Sequence, residues 1–134
     1  RCVRVEREGR GKEAAVGGVG RAGMRPGDVS EGDVGQGLRA GEGQKPARRA
    51  ASAGGGRVDW QAWLVNQGCG SGLRSVALGM QQILTGGASI VVAGGQESMS
   101  PSQHAAQLPT GVKLGNFHLV APIIQSGLWP SFPG

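Results

Sequence analysis

Three observations in the sequence predict an α/β fold. Leu73, Val76, Ala77, Met80, Ile83 and Leu84 recur at three- and four-residue intervals, the signature of an amphipathic helix of about four turns. Gly86-Gly87 then stops it, because the first glycine can take the left-handed cap. Ala88-Ser89-Ile90-Val91-Val92-Ala93 is a short apolar run closed by Gly94-Gly95, as expected for a strand buried on both faces of a sheet. Helix, tight turn and buried strand make half of an α/β repeat.

The elements before this repeat are less sharply written. Residues 1–27 form a poorly specified, irregular Gly- and Arg-rich segment, in which Ala14, Ala15, Val16, Val19 and Ala22 line one face of a weak helix ending near Gly23. Each interior glycine costs such a helix up to about 1 kcal/mol relative to alanine. Pro26-Gly27-Asp28 is a turn signal. From residue 28 to 134 the chain reads as one partial domain. Val29, Val34 and Leu38 are spaced by Gly32, Gly35 and Gly37, where a strand would carry β-branched residues, so a strand here is weakly specified. Gly35-x-Gly37-x-x-Ala40 echoes a dinucleotide fingerprint, but without a clear strand before it or a helix soon after it the favoured reading is turn chemistry. Pro46 at a first-turn position starts a helix through Ala47, Arg48, Arg49, Ala50 and Ala51, which Gly54-Gly55-Gly56 ends. Trp60 and Trp63 bring the first large apolar surface and suit a core or interface better than a ligand site. After Ser98 the chain is polar and turn-rich, and Pro130 and Pro133 argue against a regular C-terminal element.

Composition excludes several classes. The chain has 134 residues and a formal net charge of +5. Residues 1–60 hold 12 of its 14 Lys/Arg but also 8 of its 9 Asp/Glu, so the basic excess is a solvated mixed-charge surface and no nucleic-acid partner is expected. Two cysteines, Cys2 and Cys69, are too few for a secreted disulfide scaffold, and a reducing, cytoplasmic setting is expected, with a mitochondrial one as the alternative. No apolar run suggests a membrane span. The chain opens with Arg, so a processed or incomplete N-terminus is expected and a presequence would not be visible.

The candidate functional residue is Cys69, at the start of the best-written helix. Helix-start N–H groups and the macrodipole favour a thiolate over a thiol, the flanking Gly68, Gly70 and Gly72 leave room for a ligand, and the same N–H groups can receive an oxyanion. That combination suits acyl transfer through a thioester. On spacing alone, an inert buried cysteine stands equal with a nucleophile.

The stretch CGSGLRSVALGMQQI from Cys69, followed by SIVVAGGQESMS from Ser89, closely resembles the thiolase family, and more narrowly the acetyl-CoA acetyltransferases that form or cleave acetoacetyl-CoA. The resemblance covers residues 27–134, including His104, Thr110-Gly-Val-Lys-Leu-Gly and the Gly41-Glu-Gly-Gln-Lys-Pro-Ala-Arg run. It implies the N-terminal half of a layered αβαβα architecture, with Cys69 matching the nucleophile that accepts the acyl group. It also implies acyl-CoA as substrate, with acetyl-CoA and CoA entering as reactants and neither a cofactor nor a metal ion required. A complete protein is expected to be a homo-oligomer, dimer or tetramer, and the segment 110–120 resembles the family's tetramer-assembly loop. The rest of the implied machinery is an oxyanion-hole Asn, a His in Gly-His-Pro and a second Cys in Cys-x-Gly. None of these motifs occurs in the 134 residues. A structural role is favoured for His104.

The departures are equally specific. Gly32, Asp33 and Gly37 stand where the family places bulky apolar residues, and Gly68 replaces a large apolar residue beside the nucleophile. Each lost core side chain removes about 2–5 kcal/mol. The chain is therefore expected to be an incomplete thiolase with little or no activity by itself. The alternative is a non-catalytic thiolase-like fragment or paralogue acting through the dimerisation surface; a ketoacyl synthase-type relative fits less well, because Gly-Gly-Gln-Glu-Ser-Met is thiolase-like.

Overall fold

The computed structural model describes residues 7–39, 43–99, 102–106, 111, 115–116 and 118–124. Three parallel strands, β1 (Glu31–Gly35), β2 (Gln61–Val65) and β3 (Val91–Gly95), form a sheet in the order β2-β1-β3. Helices α1 (Arg7–Arg21) and α2 (Pro46–Ala53) pack together on one face, and α3 (Ser71–Leu84) covers the other. The chain passes from β1 through α2 to β2, then back through α3 to β3 on the far side of β1. With its two crossover helices on opposite faces, this is a doubly wound α/β arrangement. Such sheets place ligands beyond the carboxyl ends of their strands, where the order of connection reverses.

The sheet core lies on the α1/α2 face. Val19, Val29, Ala51 and Trp60 are buried together, with Met24, Ala62, Ile90 and Val92 packed against them. Gly32, Ala62 and Val92 occupy paired positions across the three strands, and the alternation of side chains puts them on this face together. The segment 1–27, expected to be irregular, is corrected over Arg7–Arg21: a regular helix forms there because packing against α2 and the sheet, with Val19 in the core, outweighs its glycines. Pro46 starts α2 as the sequence predicts, and Gly54 caps it. The second tryptophan, Trp63, alternates to the other face and is half exposed.

Two features of this repeat differ from what its hydropathy pattern suggests. The apolar stripe of α3 does not face the sheet: Leu73, Val76, Met80, Ile83 and Leu84 are exposed, while Ser71, Ser75 and Gly79, spaced four apart, are buried. Helix and sheet approach too closely for large residues. A Cβ on Gly35 would lie 2.4 Å from the Ser71 backbone carbon, and one on Gly79 would lie 2.9 Å from a Val91 methyl. Ser75 fits this seam because its hydroxyl donates to the carbonyls of Gly72 and Gly94, each at 2.7 Å. The second is a correction of the expected burial of β3, which is half-buried rather than covered on both faces. It is an edge strand of a three-stranded sheet, so α1 and α3 cover it only in part. The helix stop is as expected: Gly86 has φ 76°, with Gly86 N–H donating to the Ile83 carbonyl and Gly87 N–H to that of Gln82.

The weakly specified strand is the central one. β1 pairs with β2 from Glu31↔Gln61 to Gly35↔Val65 and with β3 from Glu31↔Val91 to Gly35↔Gly95. Its α3 face carries Glu31 and Asp33, each 2% exposed. These two line a cavity of about 540 Å³ with Trp63, Leu64, Gln81 and Thr85.

Candidate functional site

The site is built where the three strands end. β1 runs out at Gly35 into Gln36-Gly37-Leu38, β2 into Asn66-Gln67-Gly68-Cys69, and β3 into Gln96-Glu97-Ser98. Three loops from one edge of a parallel sheet therefore meet at one place.

Cys69 is exposed and carries a free thiol. It stands just ahead of α3, whose N-cap is Gly70. The turn that presents it is held by short-range bonds: Gly70 N–H donates to the Gln67 carbonyl at 3.1 Å, and Ser71 N–H to that of Gly68 at 3.2 Å. The Ser71 hydroxyl donates to the same Gly68 carbonyl at 2.6 Å and accepts from Gln67 N–H at 2.9 Å. Gly68 has φ 54°, a left-handed conformation that reverses the chain immediately before the cysteine. The expected placement of the thiol at a helix start is thus observed, and no acidic residue occupies the first turn of α3. First-turn N–H groups lack intrahelical acceptors and carry the positive end of the dipole.

Residues that sequence reasoning did not single out hold this loop in place. Asn66 Nδ2 donates to the Gly37 carbonyl at 3.0 Å, and Asn66 Oδ1 accepts from Gly68 N–H at 3.1 Å. Glu97 Oε2 accepts from the N–H groups of Gly37 and Leu38 at 2.9 and 3.1 Å. Behind them, Gln96 Nε2 donates to Gln36 Oε1 at 2.8 Å and Gln36 Nε2 to the Leu38 carbonyl at 2.8 Å. The signal available in the sequence was positional: a carboxylate two residues after a strand end, and an amide three residues before the cysteine.

The same contacts decide the glycine spacing at 35–37. A strand does precede it, contrary to the expectation from sequence, but the Gly37 and Leu38 N–H groups are engaged by a carboxylate, and α2 starts only at Pro46. Turn chemistry is therefore what the geometry supports. His104 and His118 are both exposed. Cys2 and several residues of the 110–120 segment lie outside the described residues. Among those described, no group of three or more His, Cys, Asp and Glu side chains is placed to hold a metal ion. No helix among them is long and apolar enough to cross a membrane.

Comparison with known proteins follows this geometry. Residues 7–134 match the family described as thiolase, N-terminal domain. The acetyl-CoA acetyltransferase of Shinella zoogloeoides is 56% identical over 114 residues, which are 85% of this chain and 29% of that protein. That of Rhizobium meliloti is 54% identical over the same shares. Among solved structures, the Acat5 thiolase from Ascaris suum, crystallised in complex with coenzyme A, superposes with a TM-score of 0.87 at 28% identity, over 92% of this chain and 32% of that one. The chain spans under a third of the length of these relatives.

Proposed function

Because this chain belongs to the thiolase family, we propose that Cys69 is the residue that accepts an acyl group from acyl-CoA, with acetyl-CoA as the donor. The observation that carries the reading is the exposed Cys69 thiol on a tightly bonded turn at the amino end of α3, at the carboxyl edge of a parallel sheet. The Cys69 sulfur attacks the thioester carbonyl, and negative charge develops on its oxygen. Helix-start N–H groups stabilise that charge, the sulfur–carbonyl bond to CoA breaks, and CoA departs with a proton while the acyl group remains on Cys69. No metal ion enters this scheme, and CoA acts as substrate.

The second half of a thiolase cycle needs a base and a second cysteine at the α-carbon. The Gly-His-Pro and Cys-x-Gly motifs that the resemblance assigns to those roles are absent from the 134 residues. Losing a single oxyanion donor costs about a hundred- to a thousandfold in rate. The 134-residue polypeptide by itself is therefore expected to take an acyl group slowly and to show almost no acetoacetyl-CoA thiolysis.

Intact-mass and peptide analysis after incubation with acetyl-CoA tests this. One acetyl group on the Cys69 peptide, lost in Cys69→Ala and released by hydroxylamine, is the expected result. Acetylation that persists in Cys69→Ala, or none on Cys69 under prolonged incubation, overturns the assignment and leaves the non-catalytic reading.

A further inference from the structure

We propose that Glu97 is a positioning residue for the Cys69 loop, acting through the Gly37–Leu38 peptide and the Asn66 amide. The proposal rests on the reading of Cys69 as nucleophile.

The Leu38 N–H and the Gly37 carbonyl belong to one peptide unit. Glu97 Oε2 accepts from that N–H at 3.1 Å, while the carbonyl accepts from Asn66 Nδ2 at 3.0 Å. A carboxylate on the N–H side of a peptide raises the electron density on its oxygen, so the bond from Asn66 is strengthened by the charge on Glu97. Asn66 in turn accepts through Oδ1 from Gly68 N–H, the residue directly before Cys69. Carboxylate, peptide, amide and peptide N–H are arranged head to tail, each bond polarising the next.

The route also explains the spacing of the loops. A Cβ on Gly37 would lie 3.3 Å from Glu97 Oε2 and 3.9 Å from the Gly68 carbonyl oxygen, so the β1 loop is wedged between the other two. Glu97 is 60 residues from Gly37 in sequence and Asn66 is 29 away. Neither contact is a local turn preference.

Amide hydrogen exchange on the 134-residue chain, read at single-residue resolution by NMR, tests the link. In Glu97→Ala, exchange at Gly37 and Leu38 rises, and exchange at Gly68 rises with it by about tenfold, the scale of one charge-assisted hydrogen bond. Asn66→Ala raises exchange at Gly68 by a similar factor, and the double variant adds nothing further there. Glu97→Gln, which retains the shape and an acceptor oxygen, recovers part of the protection. It also keeps the test alive if Glu97→Ala does not fold. Unchanged exchange in α2 separates a local release from general loosening. The proposal is overturned if Gly68 is unmoved in the Glu97 variants, or if the effects of the two single substitutions multiply. If the chain takes no acetyl group on Cys69 while the exchange coupling holds, the nucleophile reading fails and the structural link between the loops stands.

Discussion

Glu97 and the pair Glu31–Asp33 are acidic groups set against the same central strand, and their circumstances are opposite. Glu97 lies beyond the carboxyl end of the sheet and accepts from the backbone N–H groups of Gly37, Leu38 and Ser98. Glu31 and Asp33 lie within β1 beneath α3, and Glu31 Oε1 and Asp33 Oδ2 are buried with no partner among the described residues. The backbone explains the difference. Along β1 the peptide groups are committed to ladders with β2 and β3, whereas at 37–38 the chain has left the sheet and its N–H groups must find another acceptor. A carboxylate at the end of a parallel sheet organises a loop, and one in the middle of it has only its neighbour. Here that neighbour is a second acid.

The comparison breaks most completely if α3 is lifted from the sheet. Gly35→Val places side-chain carbon against the Ser71 backbone, where even a Cβ has 2.4 Å. A loss of about 3 kcal/mol is expected from urea unfolding, with exchange protection falling throughout α3. Full retention of stability would show that the close seam carries little of the packing energy.

Asp33→Val sharpens the contrast next. Removing a buried carboxyl that has an orphaned oxygen and a second acid beside it, and supplying an apolar side chain of similar size, is expected to stabilise the protein by about 1–3 kcal/mol at neutral pH. The same denaturation measurement reads it, and a destabilised variant would mean that the hydrogen bond with Glu31 outweighs the cost of burying the carboxyl.

The pH dependence follows from the same pair. Burial, then the charge of Glu31 and the hydrogen bond with it, push the Asp33 carboxyl up from 3.8 to about 6. Between those values the native state keeps a proton that the unfolded chain has released. The stability associated with this group is therefore fully present below pH 3.8 and is lost as pH rises through about 6. Unfolding midpoints between pH 4 and 8 at fixed ionic strength are expected to show this decline, and Asp33→Val is expected to flatten it. Glu31→Gln lowers the Asp33 midpoint without returning it to the ordinary value, since burial is the larger cause. A decline unaltered in Asp33→Val would assign it elsewhere.

The smallest effect belongs to the surface. Arg25–Asp28 at 2.9 Å and Arg57–Asp59 at 2.6 Å are exposed ion pairs, and each arginine holds its partner carboxyl below the usual range. Solvent screens both. Arg57→Ala is expected to leave the unfolding midpoint unchanged within error in moderate salt.

Legibility in the sequence follows the same division. α3 was readable because its period and its Gly-Gly stop are local, and Cys69 because a cysteine among glycines at a helix start is itself a local pattern. The direction in which α3 faces was not readable: the apolar stripe is its loudest signal, while the seam is made by Ser71, Ser75 and Gly79, which are quiet in any hydropathy pattern. β1 was faint because Gly32, Asp33 and Gly35 have low strand preference, and its central place comes from the strands on either side. Asn66 and Glu97 act only through contacts far apart in sequence. No window of neighbouring residues contains them.

The long reach of Glu97 has a consequence for the order of assembly. During synthesis the cysteine and all of α3 are made before β3 and the carboxylate that follows it. Until β3 joins the sheet, the Gly37–Leu38 peptide has no acid on its N–H side, and the turn before Cys69 is left to its own short-range bonds. The turn before Cys69 therefore gains its link to Glu97 only once β3 has joined β1, which makes the order of that loop a report on the docking of β3.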